Sequence, residues 1–270
     1  MNKVLLISLF CFLLASNIYA GHLDTVQVYS EKMDKHISVI VVLPEIKSNL
    51  ADYPSVYLLH GHDGNHKNWS SKTNLIYLAD TYEIFIICPD GSRNSWYLDS
   101  PIDPKSQYKT FVGQELVKFI DNNYPTEISK RAITGLSMGG HGALYLATNY
   151  PKTFIAAGSM SGGVDLTYST KRWEIAQKLG SYEKFPERWH KNSIINMIPK
   201  LAKLNIALLI DCGVDDIFIG ENRLLHQKLL EAKIDHDYIE RPGKHSWDYW
   251  LRVLEYHLFF FSEQFKTDVH

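Results

Sequence analysis

Eight short apolar runs rich in β-branched residues alternate with amphipathic stretches of helix length, and this alternation is the strongest constraint on what the chain can become. Strands are expected at Val26 to Tyr29, Ile37 to Leu43, Ser55 to His60, Ile84 to Cys88, Arg131 to Thr134, Ala156 to Met160, Ile206 to Asp211 and His236 to Glu240. Helical periodicity predicts helices over Leu75 to Tyr82, Phe111 to Tyr124, Gly139 to Asn149, Asn222 to Lys233 and Trp247 to Phe265. Strands that alternate with helices and lack a polar face must be covered on both sides. The expected fold is therefore α/β, a mostly parallel eight-stranded sheet flanked by helices. Residues 164–200 fit neither period and hold Trp173, Phe185 and Trp189 among charges, which predicts a helical excursion over the sheet, a candidate lid.

Composition removes several function classes. With 270 residues, 45% of them hydrophobic, the chain can bury a full core, and a formal charge of -2 lacks the basic excess that nucleic acid requires. Lys3 followed by the apolar run Val4 to Ala15, ending at Asn17-Ile18-Tyr19-Ala20, reads as a secretory signal peptide over residues 1–20. The run falls short of the roughly 20 apolar residues that span a bilayer. The expectation is cleavage after Ala20, no membrane anchor in the mature chain, and one domain over residues 21–270, exported to the periplasm or medium.

The segment Arg131-Ala-Ile-Thr-Gly135-Leu136-Ser137-Met138-Gly139-Gly140 carries the chemistry. A nucleophile held between a strand and a helix sits in a sharp turn where neighbouring Cβ atoms would collide, so glycines must flank it. Such a turn lifts the Ser137 hydroxyl above the carboxyl end of the sheet and aims the Met138 N–H at a developing oxyanion. A serine hydroxyl is a weak nucleophile near neutral pH, so a base and an acid that orients the base must follow. His245 lies in the loop after the last strand and Asp215 and Asp216 lie in the loop before it. The two aspartates compete, and the turn after Gly213 favours Asp216, its neighbour serving to cap the next helix. A second oxyanion donor is expected from His60-Gly61-His62, where Gly61 lets the backbone turn the His62 N–H toward the serine.

Taken together, Leu58-Leu59-His60-Gly61, Gly135-Leu136-Ser137-Met138-Gly139-Gly140, Gly213-Val214-Asp215-Asp216-Ile217-Phe218 and Pro242-Gly243-Lys244-His245-Ser246-Trp247 resemble an esterase family of α/β-hydrolases. That family includes esterase D-type S-formylglutathione hydrolases, antigen 85 mycolyltransferases, tributyrin esterases and feruloyl esterases. The resemblance implies Asp216 as the acid, His62 as the second oxyanion donor, and Asn94-Ser95-Trp96-Tyr97 as a segment lining the cleft, with Trp96 a substrate contact. The sheet order it implies sets Cys88 and Cys212 four strands apart. At about 4.8 Å per strand that is about 19 Å, too far for a disulfide, so two buried thiols are expected.

His60, His62, Asp63 and His66 crowd one loop as zinc ligands would, but the order differs from the common hydrolase cluster, and oxyanion-loop shaping accounts for His60-Gly61-His62 without an ion. No metal or other cofactor is expected. The function read from the chain is a secreted serine carboxylic-ester hydrolase working through an acyl-enzyme on short-chain acyl esters or on acetyl or feruloyl esters of carbohydrates. An acyltransferase with the same three residues, or a thioesterase similar to S-formylglutathione hydrolase, is the alternative.

Overall fold

A computed structural model describes residues 21–45 and 52–266, and the expected signal peptide lies outside them. All eight expected strands are present: β1 His22–Ser30, β2 Lys35–Leu43, β3 Tyr53–Leu59, β4 Phe85–Pro89, β5 Thr126–Gly135, β6 Ala156–Met160, β7 Ala207–Gly213 and β8 Asp237–Arg241. They form one sheet in the order β1-β2-β4-β3-β5-β6-β7-β8. β1 pairs antiparallel with β2 and β2 with β4, while every pairing from β4 to β8 is parallel.

Helices α1 Leu75–Tyr82, α2 Tyr108–Thr110, α3 Val117–Asn123, α4 Met138–Asn149, α5 Ala176–Leu179, α6 Pro186–Asn192, α7 Ile198–Leu201, α8 Ile219–Glu231 and α9 Trp247–Lys266 complete the fold. Between α2 and α3 the backbone is π-helical over Phe111–Leu116. Gly113 lies in this stretch, where a Cβ would meet the Tyr150 ring at 2.1 Å, so the helix here accommodates a ring rather than keeping a regular turn.

The alternation along the central strands explains their unbroken apolar sequence. In β3, Tyr57 and Leu59 join the core under α3, α4 and α8, while Val56 and Leu58 join the opposite core under α1 and α9. Ile87 and Ile86 of β4 divide in the same way. Both thiols are free and buried, Cys88 on β4 and Cys212 on β7, four places apart. Burial raises the pKa of each.

The segment 164–200 is helical in short pieces, including 3-10 turns at Leu166–Ser169 and Ile194–Asn196, and it packs Trp189 completely out of solvent. Because β3, β5, β7 and β8 run parallel, the loops that leave their carboxyl ends gather on one edge of the sheet, where open α/β sheets bind ligands. Among the described residues no helix is long and apolar enough to cross a membrane.

Candidate active site

Ser137 sits between β5 and α4 with φ 54° and ψ -116°, a conformation costly for any residue with a Cβ. Packing forces it. A Cβ on Gly135 would lie 2.7 Å from Gly139 backbone, and one on Gly139 would lie 2.7 Å from the carbonyl oxygens of Leu59 and His60. The Ser137 N–H donates to Met160 O at 2.9 Å, tying the turn to β6.

The His245 loop leaves β8 and the Asp216 loop leaves β7, and the two meet at the serine. His245 Nδ1 lies 3.0 and 2.9 Å from the two carboxylate oxygens of Asp216, and Nε2 lies 3.0 Å from Ser137 Oγ. An ionised carboxylate only accepts, so Nδ1 carries the hydrogen and Nε2 is free to accept from the serine hydroxyl. Asp216 also accepts the Phe218 N–H at 2.8 Å. The rings of Phe218 and Trp250 stand perpendicular to the imidazole at centroid distances of 5.1 and 4.8 Å and confine it. Asp215 is the member of the pair that stays out: its N–H donates to Gly243 O and its side chain is exposed.

The loop after β3 closes on the same point, since a Cβ on Gly61 would lie 2.5 Å from Leu136 Cδ1 and 3.4 Å from Ser137 Cβ. Among the described residues no acceptor takes the N–H of His62 or of Met138. Met138 opens α4, so its N–H adds the positive end of a twelve-residue helix.

A serine, an imidazole and a carboxylate linked in this order occur in many hydrolases, so family membership is a separate question. The model of the esterase family described as "Putative esterase" matches residues 30–260. The chain belongs to that esterase family. Over 251 residues it is 28% identical to the acetyl esterase of Caldicellulosiruptor saccharolyticus, covering 85% of this chain and 94% of that protein. Over 264 residues it is 26% identical to the diacylglycerol acyltransferase/mycolyltransferase Ag85B of Mycobacterium leprae, covering 84% and 79%. It shares its fold with the structure of a ferulic acid esterase, at a TM-score of 0.78 and 24% identity over 91% of this chain and 99% of that one. The protein is an enzyme, a serine esterase.

The esterase has a cleft of about 500 Å³ above Ser137, walled by His62, Trp173, His245, Trp247 and Trp250. Trp96 is not part of that wall. It is 2% exposed and lies behind it, where its indole N–H donates to the Trp173 carbonyl at 3.1 Å and its backbone N–H meets Met138 Sδ. The expectation of a cleft-lining Trp96 is corrected accordingly: it is a support, and the ring at the surface is Trp173.

Trp173 and the next residue, Glu174, both have positive φ, 59° and 55°. A clasp of charges holds them. Arg93 donates to Asp63 at 2.7 Å and to Glu174 at 2.9 Å, Asn94 bonds Gln177 at 2.9 Å, and His62 Nε2 lies 3.3 Å from Glu174. Partial burial opposes ionisation of Glu174, but Arg93 outweighs it and holds the carboxyl below its ordinary range; the same guanidinium lowers Asp63. The loop histidines go to separate partners. His60 Nε2 accepts the Gly91 N–H at 2.8 Å, so its Nδ1 donates to Gly61 O, and burial lowers its pKa. His66 lies 3.3 Å from Asp90. The clasp was missed in the sequence because its members are scattered loop residues; Arg93 and Glu174 are 81 residues apart.

Proposed function

We propose that Ser137 is the nucleophile, His245 the general base and acid, and Asp216 the residue that orients and stabilises the imidazolium, in a two-step hydrolysis of carboxylic esters. The observation that carries this reading is the 3.0 Å approach of His245 Nε2 to Ser137 Oγ while Nδ1 is engaged by Asp216. The Ser137 oxygen attacks the ester carbonyl carbon as its proton passes to Nε2. The carbonyl oxygen becomes an oxyanion held by the N–H groups of His62 and Met138. Collapse breaks the C–O bond to the alcohol, which leaves with the proton from Nε2. Water, deprotonated by the same nitrogen, then attacks the acyl-enzyme and releases the acid and Ser137. No step calls for a metal or other cofactor.

Short-chain acyl esters and acetyl or feruloyl esters of carbohydrates are the proposed substrates. A cleft of about 500 Å³ walled by three tryptophans suits a small acyl group on a ring-bearing alcohol. Two similar proteins, an acetyl esterase and a ferulic acid esterase, bear names that agree with this. The site of action is outside the cytoplasm, reached by means of residues 1–20 and exercised by one domain over residues 21–270.

Hydrolysis of p-nitrophenyl esters of increasing chain length, acetylated xylan and methyl ferulate tests the assignment. The expected order has acetyl and butyryl esters well ahead of long-chain ones, with acid as the product even when a sugar acceptor is added. Faster turnover of S-formylglutathione, or acyl transfer to the acceptor in place of hydrolysis, contradicts it.

A further inference from the structure

We propose that Asp211, a buried carboxylate on β7, is a positioning residue for His245, acting through Arg241 and Tyr249. The proposal rests on the functional reading of His245 given above.

Asp211 is fully buried, and its carboxylate bonds go to neither the serine nor the histidine. One of its oxygens accepts the Tyr249 hydroxyl and the other pairs with the Arg241 guanidinium. Arg241 ends β8, four residues before His245, and Tyr249 stands in the first turn of α9, four residues after it. A single carboxylate therefore anchors both ends of the segment that presents the imidazole. The Tyr249 backbone continues the connection, donating to Ser246 O at 3.1 Å, and its ring lies where a Cβ on Gly243 would sit, 2.3 Å from Cδ2.

The same anchor sets the spacing between base and acid. Asp211 lies five residues before Asp216 on the strand that delivers it. The two loops are joined by Val214 N–H to Arg241 O and Asp215 N–H to Gly243 O, each 2.9 Å, and Gly213 has no room for a Cβ, which would meet Gly243 O at 2.4 Å. Arg252 closes the outer side, its guanidinium donating to Pro242 O.

Stability alone does not account for a carboxylate here. Desolvating an ion pair offsets most of its attraction, and apolar replacements of buried pairs are often neutral or stabilising. Burial indeed raises the Asp211 pKa against the pull of Tyr249 and Arg241. What the pair supplies that an apolar contact cannot is direction: two directed bonds fix where residues 241–249 run relative to Asp216. A nucleophile and its base displaced by about 1 Å lose about 100-fold in rate.

The test is Asp211→Asn in the full chain, assayed for kcat and KM on p-nitrophenyl acetate, with melting recorded and the downfield proton resonance of the His245–Asp216 hydrogen bond followed by NMR. The expected result is a folded protein with kcat lowered about 10- to 100-fold, KM within about twofold, and that resonance broadened or lost. A folded variant with wild-type kcat and an unchanged resonance overturns the proposal, as does activity that falls only in step with the folded fraction. If Asp211→Asn does not fold, Tyr249→Phe decides, because it keeps the ring and the ion pair: a lowered kcat at unchanged melting supports the role and an unaltered kcat overturns it. Ser137→Ala and His245→Ala run beside these. Activity in both means the functional reading has failed, whereas their inactivity with a fully active Asp211→Asn means that only the positioning role has.

Discussion

The two walls of the cleft are built on different physics. Around Ser137, position is set by backbone and by absent side-chain atoms: Gly135 and Gly139 approach neighbouring backbone so closely that no Cβ fits, and all of it is buried. Facing it, Trp173 and Glu174 are held by Arg93, Asp63, Asn94 and His62, and the side chains of Arg93 and Asp63 are 54% and 60% exposed. Steric exclusion leaves Ser137 no alternative place. An exposed clasp of charges leaves the opposite wall adjustable by salt. On the proposed mechanism, the rigid wall holds the nucleophile and the soft one adjusts the fit of the substrate.

The largest effect is expected at the junction of the rigid parts. Asp216→Asn should lower kcat by about 10⁴-fold, by analogy with the loss of the orienting carboxylate in other serine hydrolases, with little change in KM; steady-state kinetics read this directly. Gly139→Ala comes next. Its new methyl would meet two carbonyl oxygens at 2.7 Å that cannot withdraw, which should cost about 1–3 kcal/mol of stability and about 100-fold in activity, checked by urea unfolding and assay.

Response to pH should separate the two walls by sign. His141 in α4 and His257 in α9 are buried, which depresses their pKa values to about 4 and about 3 from 6.5. Their contribution is complete above pH 6.5 and is lost as the pH falls through those values, because protons bind the unfolded chain first. Glu221, which accepts the Asp165 N–H at the start of the excursion, is pushed up to about 8 by burial. Its contribution is complete below pH 4.5 and fades as the pH rises toward 8. Melting curves should therefore fall on the acid side with the whole core, while limited proteolysis within residues 164–200 should rise on the alkaline side. The smallest effect belongs to Glu174→Gln. It should keep kcat and change KM by about two- to fivefold, and wild type in about 1 M salt, where screening acts within about 3 Å, should move the same way. A tolerated Gly139→Ala beside an inactive Glu174→Gln would invert the comparison.

What could be read from the sequence divides along the same line. Strands β3, β4 and β7 announce themselves because burial on both faces favours runs of apolar residues, and the turn at Ser137 because its geometry admits only glycine at its flanks. Asp215 and Asp216 could not be separated by spacing with equal force; the deciding fact is that the Asp216 carboxylate meets His245 Nδ1, a contact between two loops. The position of Trp96 behind Trp173 was illegible for a related reason. Neither lies in a periodic element, and which ring reaches the cleft follows from ion pairs between segments far apart in the chain. The π-helical stretch at Phe111–Leu116 likewise reflects a tertiary contact, the Tyr150 ring over Gly113.

Whether one hydroxyl, activated by one imidazole, performs the chemistry is read by active-site labelling with a fluorophosphonate followed by peptide mapping. A single phosphonyl adduct on Ser137 is expected, absent from Ser137→Ala and from His245→Ala while both keep the wild-type melting curve. An adduct on another residue, or undiminished ester hydrolysis by Ser137→Ala, would contradict it.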